Sequence, residues 1–126
     1  MKIQTQDLLR MRWRLGARGP VWIDCLGISM LILARMGKPI QDPWPQLLAR
    51  WQAGEDPSGV LDEGPGDGWL RIDPRESLVD GDLWILNGAP FGAGVAYAGR
   101  IWTATMEANV VNRAPQHCRP VGAWRQ

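Results

Sequence analysis

The chain has 126 residues, enough for one domain with a single core, and 14 Lys+Arg against 13 Asp+Glu leave a formal charge of +1. That balance excludes a strong pull toward nucleic acid or an anionic membrane, and the longest apolar run, residues 25–34, is about half the length of a bilayer span. Charge is unevenly placed: Lys2, Arg10, Arg12, Arg14 and Arg18 face only Asp7 near the start, whereas residues 55–82 are mainly acidic, an asymmetry that either orients the domain against a partner or is a solvated surface.

In chain order, residues 6–15 read as a short helix carrying Leu8, Leu9, Met11, Trp13 and Leu15, stopped by Gly16 and Gly19-Pro20. Asp24 is a candidate N-cap for a helix over 25–36. That segment is apolar almost all round, so it is expected at the centre of the fold. Gly27 and Ser29 leave room for a neighbour to approach, and Gly37 with Pro39 ends the helix. Residues 43–53 read as a third helix with Leu47, Leu48 and Trp51 on one stripe. A Gly/Pro-rich acidic loop follows over 55–68, long for a compact domain.

Beyond it the period shifts to that of strands. Expected strands are 69–72, 83–86 after the Asp80-Gly81 turn, 94–98 and 100–105 as a hairpin around Gly99, then 110–112 and 118–121. Helices first and an antiparallel meander afterwards predict an α+β fold, with residues 1–126 as a single domain and 1–18 as its basic helix or arm.

Eight tryptophans, against one Tyr and one Phe, are expected to divide between the core and subunit contacts. The first fourteen residues are charged where a secretory signal would be apolar, which predicts synthesis as a soluble cytoplasmic chain. Cys25 and Cys118 are read as free thiols rather than a disulfide. A single His and no CxxC argue against zinc, and no cofactor is expected.

The informative stretch is Trp22-Ile23-Asp24-Cys25-Leu26-Gly27. A cysteine in the first turn of a buried helix meets backbone N–H groups and the positive end of the dipole, which favour a thiolate. A cysteine nucleophile needs such a place; a structural cysteine also fits it. Asp24 is read as the cap before it is read as an acid. Asp-Cys-Leu-Gly resembles the Asp-Cys-Ser-Gly motif of NlpC-type, papain-like cell-wall peptidases. Asp80-Gly81-Asp82-Leu83 resembles that family's Pro-Gly-Asp-Leu strand entry, and Gly92-Ala93-Gly94-Val95-Ala96-Tyr97 its His-Val-Gly-Ile strand. Ile101-Trp102-Thr103-Ala104 is similar to the next strand, and Cys118-Arg119-Pro120-Val121 to the closing strand of phage members; the resemblance runs over about residues 19–124.

The resemblance implies a papain-like fold in which Cys25 holds the nucleophile's position. The positions matching the base histidine and its orienting partner are Gly92 and Thr103, and neither can take a proton from a thiol at neutral pH. Leu26 replaces the serine after the cysteine, and the only imidazole is His117, next to Cys118, read first as a surface or strand-end residue. The resemblance thus implies an inactive peptidase fold serving as an assembly component of a phage tail tip. Its partners would be other tail proteins, met through Trp-rich surfaces and the Arg-rich N-terminus, and it would be carried in the virion. Two alternatives are an active peptidoglycan endopeptidase, with Cys25 assisted by His117 or by a neighbour, and an unrelated small-molecule or thiol-linked binding domain.

Overall fold

The computed structural model describes residues 2–55, 64–87 and 92–126. Most of the 55–68 loop lies outside the described residues. A 3-10 turn at Leu8–Arg10 leads into a two-residue strand, β1 (Arg12–Trp13), which pairs in parallel with β2 (Trp22–Ile23). Helices α1 (Cys25–Arg35) and α2 (Trp44–Gln52) follow. Then come β3 (Leu70–Ile72), β4 (Leu83–Leu86), β5 (Gly92–Tyr97), β6 (Arg100–Thr105), β7 (Asn109–Arg113), a 3-10 turn at Pro115–His117, and β8 (Pro120–Arg125). The fold is α+β: the helices stand with a six-stranded antiparallel sheet of order β3-β8-β4-β5-β6-β7. Strands β4 to β7 form the expected meander. The closing strand departs from it, crossing back to lie between β3 and β4.

The helix expected over 6–15 is not formed. Residues 9–15 alternate apolar and cationic side chains, a period of two rather than 3.6, and the chain follows that period into β1. Arg12 N–H donates to the Val21 carbonyl and Arg14 N–H to that of Ile23, while Trp13 N–H donates to Asn109 Oδ1. Leu8 and Met11 of this segment are buried in the core and Trp13 packs against it partly buried, while Leu9 and Leu15 stay exposed. Elsewhere the limits move by a residue or two, except that the last strand begins two residues later and runs to Arg125. Cys118 stays outside it, following the 3-10 turn.

Alternate residues on each strand point to opposite faces of the sheet. On one face Leu83, Val95, Tyr97, Trp102, Ala104 and Val110 pack with Ile28, Ile32 and Leu33 of α1. On the other, Trp84, Ala96, Ile101 and Ala123 form a second, smaller cluster with Cys118 packed against it. Burying an aliphatic side chain such as Ile32 stabilises by roughly 1.5–3 kcal/mol, so the larger face dominates the hydrophobic contribution. The β5–β6 hairpin turns at Ala98 and Gly99, both at positive φ, a conformation glycine adopts without cost. Tyr97 also accepts the Ile3 N–H at 2.8 Å, holding the N-terminal segment over the α1 face.

Candidate active site around Cys25

The N-terminus of α1 is built on Asp24, which is buried and carries three donors. Its Oδ1 accepts the Gly27 N–H at 2.7 Å and an Arg18 guanidinium N–H at 2.8 Å. Its Oδ2 accepts the Gly16 N–H at 2.8 Å. The first of these is an N-cap bond, as the sequence suggests, and the other two fasten the 16–18 turn to the helix. Arg18 continues to Asp42, with Nε 2.8 Å from Oδ2, tying in the segment ahead of α2. Gly27 is required by space: a Cβ there would stand 2.7 Å from the Ala17 carbonyl oxygen and 2.8 Å from Ile23 Cγ1.

Cys25, the first residue of α1, is thereby aimed at β5, the strand on which the helix mainly packs. The expectation of a stabilised thiolate is not met. Burial pushes the Cys25 thiol up to about 11, the Asp24 carboxylate adds to the rise, and backbone hydrogen bonding at Ala93, Leu26 and Cys25 itself opposes it only in part. At neutral pH the side chain is a neutral thiol.

Ala93 is the β5 residue beside the thiol, and it is almost fully buried. Gly92, one residue earlier, turns the other way: a Cβ on it would meet Leu86 Cβ at 3.3 Å, and Leu86 packs on the cluster away from α1. Thr103 is buried, and its hydroxyl donates to the Ala93 carbonyl at 2.6 Å. Its proton is therefore committed to the backbone behind the thiol. A small apolar hollow of about 50 Å³ lies next to this point, lined among others by Leu26, Ile40, Leu47, Ile85, Ala93 and Trp124.

His117 is exposed in the 3-10 turn after β7. The adjoining Cys118 packs on Trp84, Ala96, Ile101 and Ala123, so this turn belongs to the face of the sheet opposite α1. The structure thus sets Ala93 beside Cys25, ties Thr103 to the Ala93 carbonyl from the face of the sheet that Ile101 shares, and leaves His117 apart from the thiol. Both cysteines are free thiols. Among the described residues no three His, Cys, Asp or Glu side chains are grouped to hold a metal ion, and no helix is long and apolar enough to cross a membrane.

Sequence reasoning missed Ala93 as the residue facing the thiol. The alternation along β5 was the available signal, since Val95 and Tyr97 are the larger residues on the helix side and Ala93 shares their parity. Missed too was the Arg18–Asp24 pair, which no local pattern announces.

No protein-family model matches this sequence, and no curated protein matches it. Among solved structures, NlpC2 from Trichomonas vaginalis is similar, with a TM-score of 0.60 at 12% identity. The match covers 94% of this chain but only 44% of that one, so this chain spans less than half the length of its structural neighbour. The likeness is one of fold, and it identifies the arrangement of α1 against the antiparallel sheet as NlpC-like and papain-like α+β.

Proposed function

We propose that the chain is a structural, assembly-type protein on a non-catalytic NlpC-like fold, acting in the phage tail-tip setting that its motifs imply. One observation carries this reading. Cys25 stands at the head of α1, the place that the resemblance gives to a nucleophile, but the chain's single imidazole, His117, lies in a turn on the opposite face of the sheet. Papain-like hydrolysis needs a base to take the thiol proton and an acid to deliver it to the leaving amine, help worth about 10²–10⁴-fold in rate. Burial of the thiol works in the same direction, because it holds the cysteine protonated at neutral pH. Surface composition supports an assembly role: Trp22 and Trp51 are exposed, while Trp69, Trp84 and Trp102 are used up in the core.

The test is release of soluble muropeptides from purified peptidoglycan by the wild-type chain and by Cys25→Ala. The expected result is no release from either. Release by the wild type that the substitution abolishes would overturn the reading and make Cys25 a working nucleophile. The second reading, an active endopeptidase, draws on the preserved placement of Cys25 against β5. It requires an imidazole from a neighbouring protein, so it predicts Cys25-dependent release only from the assembled particle.

A further inference from the structure

On the face of the sheet opposite α1, the turn that ends in Cys118, the strands β4 and β8 and the segment after β3 surround an open cavity of about 650 Å³. Its volume lies within the range of small-molecule sites, roughly 300–1,000 Å³. Apolar walls come from Pro74, Pro115, Pro120 and Val121, and the prolines among them bring no backbone N–H. Cys118 lines the cavity as well, its S–H directed at the Ala114 carbonyl 3.7 Å away, so that it adds a soft, polarisable surface. The cavity shares no residue with the hollow beside Cys25, which belongs to the α1 face.

One polar group in this wall is not accounted for by folding. Trp84 is only 3% exposed, and its indole Nε1–H is buried without a hydrogen-bond partner among the described residues. Trp102, on the α1 face, donates its own Nε1–H to the Tyr97 carbonyl. Buried donors are nearly always paired in folded proteins, because an unpaired one loses its water and gains nothing. The side chains of the Trp84 cluster, Ala96, Ile101 and Ala123 with Ile72, Leu78 and Leu86 against them, carry no acceptor. The cavity is thus the side from which an acceptor can be brought. Its charged groups are already matched: Arg75 contacts both carboxylate oxygens of Asp73 at 3.2 Å. Arg113 and Arg100 act on the Cys118 thiol from outside the lining.

We propose that this cavity binds a small, uncharged and mainly apolar molecule that presents a carbonyl oxygen to the Trp84 Nε1–H. The prolines and Val121 take the apolar body, and the single indole donor fixes its orientation, the usual division of labour in such sites. A carboxylate is the poorer occupant, because Arg75 is held by Asp73 and the Asp73 carboxylate faces the same space. The inference goes beyond the assembly reading and does not depend on it. Cys118 makes occupancy measurable, since a molecule in the cavity covers its thiol.

The probe is N-cyclohexylacetamide, an apolar ring carrying one amide carbonyl, with cyclohexylacetate as its anionic counterpart. Each is titrated into the isotopically labelled full chain while the indole N–H resonances are followed by NMR. The Trp84 resonance is the one lost in Trp84→Phe. The amide is expected to shift that resonance saturably and to slow iodoacetamide modification of Cys118, leaving the rate at Cys25 unchanged. Trp84→Phe keeps an aromatic ring in the cluster and removes the donor, so protection of Cys118 is expected to need about three- to tenfold more amide. Val121→Glu is a second variant, at a wall position that is 60% exposed. It is expected to weaken binding with the fold intact by circular dichroism and the Trp84 resonance retained. Cyclohexylacetate is expected to bind less tightly than the amide. No saturable shift at Trp84, equal protection of Cys118 in wild type and both variants, or tighter binding of cyclohexylacetate would each overturn the proposal. None of these results bears on the assembly reading, which the muropeptide assay tests separately.

Discussion

The two cysteines of this chain lie on opposite faces of one sheet, and their surroundings differ in kind. Cys25 sits where a capped helix, a required glycine and a buried carboxylate converge, so its position is set by several interactions at once. Cys118 follows a short 3-10 turn, touches the smaller cluster, and makes one long contact of 3.7 Å to the Ala114 carbonyl. The elaborate neighbourhood has a thiol and no imidazole; the simple one has a thiol beside the chain's only histidine. The machinery that positions a nucleophile and the group that would activate it are therefore separated by the sheet. In this molecule the first is accounted for by folding alone: the bonds that aim Cys25 are those that start α1 and hold the 16–18 turn.

The strongest way to break the contrast is to remove the carboxylate at its centre. Asp24→Ala deletes the cap of α1, leaves the Gly16 N–H without its acceptor and leaves Arg18 with Asp42 as its one carboxylate partner. Combining a lost cap with a broken buried ion pair gives an expected loss of roughly 3 kcal/mol, measurable as a lowered midpoint in urea unfolding. Cys118→Ala is expected to cost less than about 1 kcal/mol in the same assay, because that side chain is only partly buried at the rim of its cluster. Equal costs would mean that the two neighbourhoods are equally structural.

Next in size is a dependence on pH that belongs to Cys25. Its thiol titrates higher in the folded chain than a free thiol does, so folding favours the neutral form. The contribution is fully present below about pH 9 and is lost as pH rises toward about 11. On the order of 2–3 kcal/mol should disappear across that window, and Cys25→Ala should flatten the profile. A wild-type stability curve identical to that of the variant from pH 8 to 11, a range bracketing the expected shift, would count against a buried, protonated thiol.

Gly27→Ala tests the close approach of the 16–18 turn to α1. The added methyl group meets backbone at 2.7 Å, which cannot move as a side-chain tip can. The expected cost is about 1–3 kcal/mol, with a faster reaction of Cys25 toward alkylating reagents as the helix start is pushed off the sheet. An unchanged urea midpoint would show that the turn gives way freely.

How much of this was legible in the sequence follows the range over which each feature is determined. Helix α1 was readable because its cap, its apolar run and its stop all lie within fourteen residues, and Asp24 performs the role its residue type suggests. The β5–β6 hairpin was readable from Gly99 and the flanking apolar residues. The stretch 9–15 carried a readable alternation, but it was masked by strong helix formers, and its strand pairing depends on Val21 and Ile23 across a turn. The return of β8 between β3 and β4 has no local sign, because it is settled by which strands bury Trp84 and Ala123. For the site, the chain showed a cysteine at a helix start and no second histidine. Which β5 residue faces the thiol depends on strand parity, and a reading by motif alone landed on Gly92 rather than its neighbour Ala93.

The smallest expected effect is also the most discriminating between the two faces. His117 is exposed, and no side-chain bond to it is formed among the described residues, so His117→Ala should change stability by no more than about 0.5 kcal/mol. If the imidazole acted on Cys25, its removal would slow alkylation of that thiol and shift the pH at which the reaction accelerates. On the geometry described, Cys25 should react with iodoacetamide at the same rate in both proteins, rising only as pH approaches about 11. Burial pushes the Cys118 thiol up as well, with Arg113 and Arg100 opposing it, but Cys118 is less buried than Cys25 and should be modified first at every pH below that. Peptide mapping of partly alkylated protein reads both sites at once. A Cys25 rate that falls in His117→Ala would place the histidine on the same side of the sheet as the thiol, and so join the two neighbourhoods that the fold keeps apart.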